Sequence, residues 1–401
     1  MNIIDGKSYE EAIEYINSLS QFVAGTGCER AEKLLERLGN PQDKLKVIHV
    51  AGSNGKGSVC AYLAGILQEN GYKTGLFTSP HLIDERERIR INGMMITKEE
   101  FAEAYARVKA VEDELGKGSL AYFDYFLGIA FIVFLKQNVD ICVIETGLGG
   151  RLDATNAVKN PVLDIIATIS LEHTAILGDT IEKIAEEKSG IIKNNVPVVF
   201  IKDKKSVTDI IEKNAEENNC EAYGVTRKDF QIIKNYGYCI DFSLNNMYYK
   251  NDCFTITTGA VYQVQNCSLA LTAAEVLKKT GVVKLESNAV HKAVKKVQWH
   301  GRMEQIADNI YVDGAHNPEG IEALICSVSP ISCGRKTILL FSVVNDKDYD
   351  RIIKSICDSN MFDYFVIAGI QGKRCLDDSC ISDTFKKYTD KPVIDLSLIH
   401  I

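Results

Sequence analysis

The residues with the most chemical content lie in one run, Val47-Ile-His-Val-Ala-Gly52-Ser-Asn54-Gly55-Lys56-Gly57-Ser58. Residues of β character pass straight into a glycine-rich turn ending in Lys and Ser, and a helix-like stretch, Ser58 to Asn70, follows at once. A phosphate-binding loop needs this context. Glycines let backbone N–H groups turn inward, and the helix N-terminus adds positive potential. Lys56 would then sit against the outer phosphates and the Ser58 hydroxyl near Mg²⁺. The spacing G-x-x-G-K-G-S departs from the commoner G-x-x-x-x-G-K-[ST] by a glycine between Lys and Ser. A turn that holds nothing is the bland alternative, and the strand–helix context disfavours it.

Other candidates are weaker one by one. The apolar segment 140–144 ends in Glu145-Thr-Gly-Leu-Gly-Gly-Arg-Leu152-Asp153-Ala154-Thr-Asn156. An acid at the carboxyl end of a parallel strand faces the ligand crevice of an α/β sheet, which makes Glu145 a candidate for holding Mg²⁺. In Thr78-Ser79-Pro80-His81-Leu82, Pro80 fixes the backbone and holds Ser79 at a strand end, although an ordinary turn serine is the plainer reading. His173, in the loop after strand 162–168, is either a metal or phosphate contact or a satisfied structural residue. Lys188, beside two glutamates, reads locally as a solvated lysine. Asp124 is an acid inside the apolar, aromatic helix 121–137, and an exposed helix face would explain it.

Positioning these residues takes an alternation of helices and strands. Helical periodicity covers 9–18 and 29–38. Thr97-Lys-Glu-Glu100 reads as a capping box opening a helix to Leu115, Asp179 as the cap of a helix reaching Gly190, and 265–280 and 285–297 as helices. The segment 220–262 reads as a small antiparallel section at the edge of the first domain. A linker at 298–302, holding the only Trp, separates domains 1–297 and 298–401. In the second, a strand at 309–313 restarts the α/β alternation, and Asn317-Pro318 reads as N-cap and first helical residue. The fold class is α/β: a parallel-sheet ATPase domain with a phosphate loop, then a smaller Rossmann-like α/β domain. At 401 residues each domain can bury a core. The net charge of −8 argues against general nucleic-acid binding. No apolar run reaches membrane-span length, and the N-terminus lacks a signal-peptide pattern, which predicts a cytoplasmic protein. Twelve cysteines, scattered singly in apolar runs (Cys60, Cys142, Cys326), read as reduced core residues.

Seven blocks together resemble the folylpolyglutamate synthases, with their bifunctional dihydrofolate synthase form, of the Mur ligase superfamily. They are Gly52–Ser58 with its extra glycine, Thr78–Leu82, Glu145–Asn156, His173–Thr180, Glu187-Lys-Ser-Gly-Ile191, Trp299-His-Gly-Arg302 and Asp313-Gly-Ala-His316-Asn-Pro318. They run in family order along nearly the whole chain. The resemblance implies Mg²⁺ ligands at Ser79, Glu145 and His173, and ATP contacts at Asn54, Gly55, Lys56, Gly57, Ser58, Asn266, Arg302 and Asp313. It implies pterin-binding positions at Tyr122, Phe123, Asp124, Leu152, Asp153 and Ala154, and makes Lys188 the lysine that the family carboxylates on Nζ. Lys56, Lys188 and His316 are the implied catalytic residues.

The chemistry so implied is amide ligation in a monomer. An acceptor carboxylate, of a folate or dihydropteroate, takes the ATP γ-phosphoryl group, and the L-glutamate amine displaces phosphate from the acyl phosphate. His316 and Asp313 would reach the nucleotide or glutamate, and Arg302 would complete the nucleotide site on domain closure. This chain departs from the family pattern at Ala121, Asp124, Glu172 and His300, where Thr, Glu, Asp and Pro are usual. Its last residues, Leu396-Ser-Leu-Ile-His-Ile401, also depart from it, and read as a truncated frame that leaves the second sheet short of a strand. Two alternatives are a Mur-type ligase for another acceptor, such as a UDP-muramyl peptide, and a non-catalytic nucleotide-dependent binding module.

Overall fold

Every residue of Val47–Ala51 (β1) is buried, and all but His49 are apolar, as a central parallel strand covered on both faces requires. The computed structural model describes residues 7–20, 23–332, 334–369 and 374–396. The chain divides into a first unit, Met1–Gln231, Phe242–Ile256 and Gln265–Gln298, and a second, Ile232–Asp241, Thr257–Val264 and Trp299–Ile401.

In the first unit β1 is joined by Thr74–Phe77 (β2), Ile89–Ile91 (β3), Met94–Met95 (β4), Ile141–Glu145 (β5), Leu163–Ile166 (β6), Val198–Ile201 (β7) and Ala222–Val225 (β8). The order is β4-β3-β2-β5-β1-β6-β7-β8. β3 and β4 run antiparallel at one edge and the remaining strands are parallel. Because β5 lies between β2 and β1, the segments leaving β2, β5, β1 and β6 emerge side by side at the carboxyl end of the sheet.

Two apolar clusters back the sheet, and their β1 residues, Val47 and Ala51, lie on the same face of it. One is built with helices Gly27–Arg37, Lys98–Leu115 and Tyr122–Lys136, the other with Ile181–Ser189 and Lys205–Glu217. Tyr125, Phe126, Phe131 and Phe134 are fully buried, and each contributes roughly 1.5–3 kcal/mol by leaving water. Thr97 and Glu100 form the expected capping box. Helix Lys56–Glu69 is buried on most sides, and Val297 comes so near that a Cβ on Gly65 would lie 2.5 Å from its Cγ2.

Several expectations need correction. Residues 222–225 join the large sheet in parallel with β7; only Phe230–Asn235 (β9), Ile240–Asn245 (β10) and Lys250–Ile256 (β11) form the separate small sheet. The cap of Ile181–Ser189 is Thr180, whose side chain accepts from Lys183 N–H; Asp179 instead pairs with the Lys183 ammonium at 2.8 Å. The cysteines among the described residues are free thiols and Cys60 and Cys142 are buried, but Cys326 is exposed.

In the second unit, Glu304–Ala307 (β12) and Ile310–Val312 (β13) form an antiparallel hairpin, so the segment expected to restart the parallel alternation does not belong to that sheet. The parallel sheet is Ile338–Phe341 (β14), Tyr364–Ala368 (β15) and Val393–Leu396 (β16). Helices Pro318–Ser332, Tyr349–Asp358 and Asp378–Tyr388 cover it through a core that includes Ile352, Phe365, Ile381 and Phe385. β16 lies beside β15. The expected truncation concerns the chain beyond this strand, and residues 397–401 lie outside the described residues. No described helix is long and apolar enough to cross a membrane.

Candidate functional site

The loop after β1 turns at two glycines that no other residue replaces without strain. Gly52 has φ 149° and a Cβ there would meet Ala167 Cβ at 2.8 Å; Gly55 has φ 87° and its Cβ would lie 2.3 Å from Asn266 Oδ1. Gly55 is the N-cap of helix Lys56–Glu69, and no side chain caps that helix. Backbone amides at such a terminus suit phosphate oxygens. Lys56 Nζ donates to the carbonyls of Gly52 (2.9 Å) and Ser53 (3.3 Å), spanning the loop. The loop is tied to the tail of β6: Ser53 N–H donates to Thr168 O (2.8 Å), and Asn54 Nδ2 to Ser170 Oγ (3.1 Å). Ser58 is buried in the first turn, and Asn266 reaches the loop from helix Tyr262–Lys279.

Lys188 is no surface residue. It is fully buried, its Nζ donates to Gly52 O at 2.9 Å, and it pairs with Glu172 Oε1 at 2.8 Å. Burial pushes the Lys188 ammonium down to about 8, although Glu172 opposes the shift. Burial would raise the Glu172 carboxyl, but Lys188 and Lys56 outweigh it and hold the group near 2. The Glu that stands where an Asp is usual thus reaches the lysine directly.

Glu145 is buried at the carboxyl end of β5, and its Oε2 accepts the Ser79 N–H at 2.9 Å across neighbouring strands. His173 is exposed on left-handed backbone, φ 46°, at the start of the short helix Thr174–Leu177. Among the described residues no three His, Cys, Asp or Glu side chains are grouped so that they alone could hold a metal ion. One carboxylate beside a hydroxyl and a phosphate loop is a hard-oxygen set that suits Mg²⁺, which keeps waters and takes ligands from substrate phosphates.

The two segments expected to hold the acceptor both lie in the first unit. Phe123 packs edge-on against Phe77 at 5.4 Å and closes over Gly147. Asp124, expected on an exposed face, is 1% exposed. Its Oδ2 accepts from Arg30 Nε (2.7 Å) and Ala121 N–H (2.8 Å), while Oδ1 has no partner. Burial raises its pKa, with Arg30 and the Ala121 amide pulling the other way. Leu152 is exposed and Ala154 is buried. Asp153, also buried, accepts from Leu148 N–H (2.7 Å), Thr155 N–H (3.0 Å) and Thr155 Oγ1 (2.5 Å). Thr155 Oγ1 is in turn 2.8 Å from His49 Nε2, so the loop hangs from β1 through a buried imidazole. Gly27 approaches Ala154 N so closely that a Cβ would stand 3.0 Å away.

In the second unit Asp313 accepts from Tyr262 Oη (2.5 Å) and the amides of Met303 and Ala315 (both 2.8 Å). Arg302 donates to Gly301 O at 2.9 Å and lies over Gly314. The His316 ring is 2.8 Å from Gly314 O, and Asn317 Oδ1 accepts from Gly320 N–H as an N-cap does. Arg302, Asp313 and His316 therefore form one neighbourhood. Sequence reading missed Arg30, His49, Arg88 and Thr155. The charge run 84–90 was a signal for Arg88; His49, the one polar residue in an apolar strand, was a signal for its link to Thr155.

A glycine-rich phosphate loop on a parallel sheet, an acid at the neighbouring strand end and a smaller α/β unit define a Mur-type, ATP-dependent ligase. Residues 50–274 match the Mur ligase middle domain and residues 301–394 the Mur ligase glutamate ligase domain. The dihydrofolate synthase/folylpolyglutamate synthase of Bacillus subtilis is 36% identical over 360 residues, covering 87% of this chain and 83% of the relative. The folylpolyglutamate synthase of Thermotoga maritima superposes with a TM-score of 0.84 at 33% identity, over 97% of this chain and 90% of that one. That of Mycobacterium tuberculosis, solved with ADP, gives 0.86 at 26% identity, over 98% and 88%. The chain belongs to the folylpolyglutamate synthase/dihydrofolate synthase family.

Proposed function

We propose that the chain joins L-glutamate to the carboxylate of a folate at the expense of ATP, and that it also converts dihydropteroate to dihydrofolate. The observation that carries the reading is the convergence of the uncapped loop Gly52–Ser58, Glu145 and the Asp153 segment at neighbouring strand ends of one sheet. There, loop amides and Lys56 hold the nucleotide phosphates, with Asn54, Gly55, Gly57, Ser58 and Asn266 around them. Arg302, Asp313 and His316 serve nucleotide or glutamate from the second unit. Tyr122, Phe123, Asp124 and Leu152–Ala154 hold the acceptor's ring system.

An acceptor carboxylate oxygen bonds to the γ-phosphorus as ADP departs, and the glutamate amine then attacks the acyl carbon, releasing phosphate and a proton. Lys56 and the loop amides steady the charge spreading over the transferred phosphoryl group. Ser79, Glu145 and His173 would hold Mg²⁺, which neutralises phosphate charge when bound. Carboxylation of Lys188 requires its neutral amine. A lysine at about 8 supplies that form near neutral pH once the Glu172 pair opens. The chain acts in the cytoplasm, as a monomer.

ADP release should require Mg²⁺, L-glutamate and a pterin acid together, and side-by-side turnover of dihydropteroate and tetrahydrofolate should show both as acceptors. ADP release with neither acceptor, but with another carboxylate, would move the chain to a different Mur-type substrate.

A further inference from the structure

Arg88 is a buried cation with no ion-pair partner among the described residues. It is 8% exposed, and its guanidinium lies over the rings of Tyr122 (5.3 Å) and Phe126 (5.1 Å). Nε donates to His81 Nδ1 at 2.9 Å, so His81 accepts there as a neutral imidazole, and the Tyr122 hydroxyl is a further hydrogen-bonding partner. All these partners are uncharged. The flanking arginines on the same stretch do have acids: Arg86 pairs with Asp84 at 2.7 Å and Arg90 with Glu87 at 4.0 Å. Among the described residues no carboxylate forms an ion pair with Arg88, and Glu145 and Glu85 act on it only as more distant charges. A buried ion without a counter-ion is costly to keep. Aromatic faces and a neutral imidazole repay part of that cost, and an anionic ligand would repay the rest.

The place of Arg88 narrows the choice of anion. Its carbonyl accepts the Thr78 N–H at 3.0 Å, one residue before Ser79, whose own N–H is held by Glu145. On its other side is Tyr122, first residue of the helix that carries the acceptor positions. It therefore stands between the residues proposed for the metal and those proposed for the acceptor's rings, where the reacting end of the acceptor must pass.

We propose that Arg88 binds the carboxylate of the acceptor and presents it for phosphorylation. The inference rests on the folate-ligase reading above. A guanidinium offers paired N–H donors that match a carboxylate, and stacking between two rings pre-sets its plane.

The test is calorimetric binding to the full chain, with dihydropteroate, tetrahydrofolate and their uncharged carboxamides as probes. Wild type should prefer the acids. Arg88→Met should lose that preference, by on the order of 10–100-fold in Kd, as for a lost charged hydrogen bond. Arg88→Lys should recover part of it. Affinity for a non-hydrolysable ATP analogue should be unchanged in both. The thermal midpoint of Arg88→Met should hold or rise, since an unpaired buried charge is replaced by an apolar side chain of similar length. An acid-to-amide ratio unchanged in Arg88→Met, weakened binding of the ATP analogue, or a fall in midpoint without loss of acid preference would each overturn the assignment. Wild type that binds neither pterin acid would instead overturn the ligase reading on which it rests.

Discussion

Lys188 Nζ and Glu172 Oε1 are 2.8 Å apart, with the side chains 1% and 8% exposed, and the same lysine holds the carbonyl of Gly52 in the phosphate loop. Removing one partner of a buried pair leaves the other charge without compensation, at about 3–5 kcal/mol. Glu172→Ala should therefore unfold at clearly lower urea than wild type. Glu172→Asp, too short to hold the same contact, should fall between them. Urea midpoints for the three proteins check this; equal midpoints would remove the pair from the site's support.

Gly55→Ala should weaken nucleotide binding while the fold persists. Its backbone lies at φ 87°, and the new methyl would stand 2.3 Å from Asn266 Oδ1. Strain of this kind costs about 1–3 kcal/mol, so ATP affinity should drop roughly 10–100-fold. Calorimetry with a non-hydrolysable ATP analogue measures it, and near-wild-type affinity would show that the loop does not need this turn.

Stability should fall on mild acidification because of His49. It is buried, and burial first, then Lys193, pushes its pKa down to about 3, so the folded protein keeps it neutral. The unfolded chain takes up the proton below its ordinary value of about 6.5. Nothing is therefore lost above that pH, and stability declines as pH falls from 6.5 towards 3. The slope is about 1.4 kcal/mol per pH unit, or about 2 kcal/mol by pH 5. His49→Phe should be less stable at pH 7.5, with Thr155 Oγ1 deprived of its partner, yet lose less than wild type between pH 7.5 and 5. Parallel slopes for the two proteins would count against this account.

Arg30→Met should destabilise more than Asp124→Asn. The first strands a carboxylate that is 1% exposed and already has one oxygen without a partner. The second removes the charge whose burial raises the pKa. The expected cost of Arg30→Met is about 3–5 kcal/mol. A double-mutant cycle over Arg30 and Asp124, read by chemical denaturation, should give a coupling of about 1–3 kcal/mol; additive single effects would exclude it.

How much of this was legible beforehand depends on the range of each interaction. The turn at Gly52–Ser58, the capping box of Thr97 and Glu100, and the aromatic helix from Tyr122 follow from neighbours within a few residues, where backbone sterics and periodicity act directly. The α/β class could be read from the same local alternation. The acid of Asp124 was ambiguous because its partner is 94 positions away, and the surface reading of Lys188 failed because its acceptor, Gly52, is 136 away. The hairpin of Glu304–Ala307 with Ile310–Val312 was misassigned because a lone strand carries no mark of its partner's direction.

Local sequence, then, settled which residues can turn, cap or cradle a phosphate. The order β2-β5-β1-β6 settled which of them meet, since parallel pairing joins segments far apart along the chain and leaves no periodic trace within either. Burial followed from that order. It turned Lys188 from a solvated ammonium into a paired one, and left Arg88 a buried cation without an ion-pair partner among the described residues.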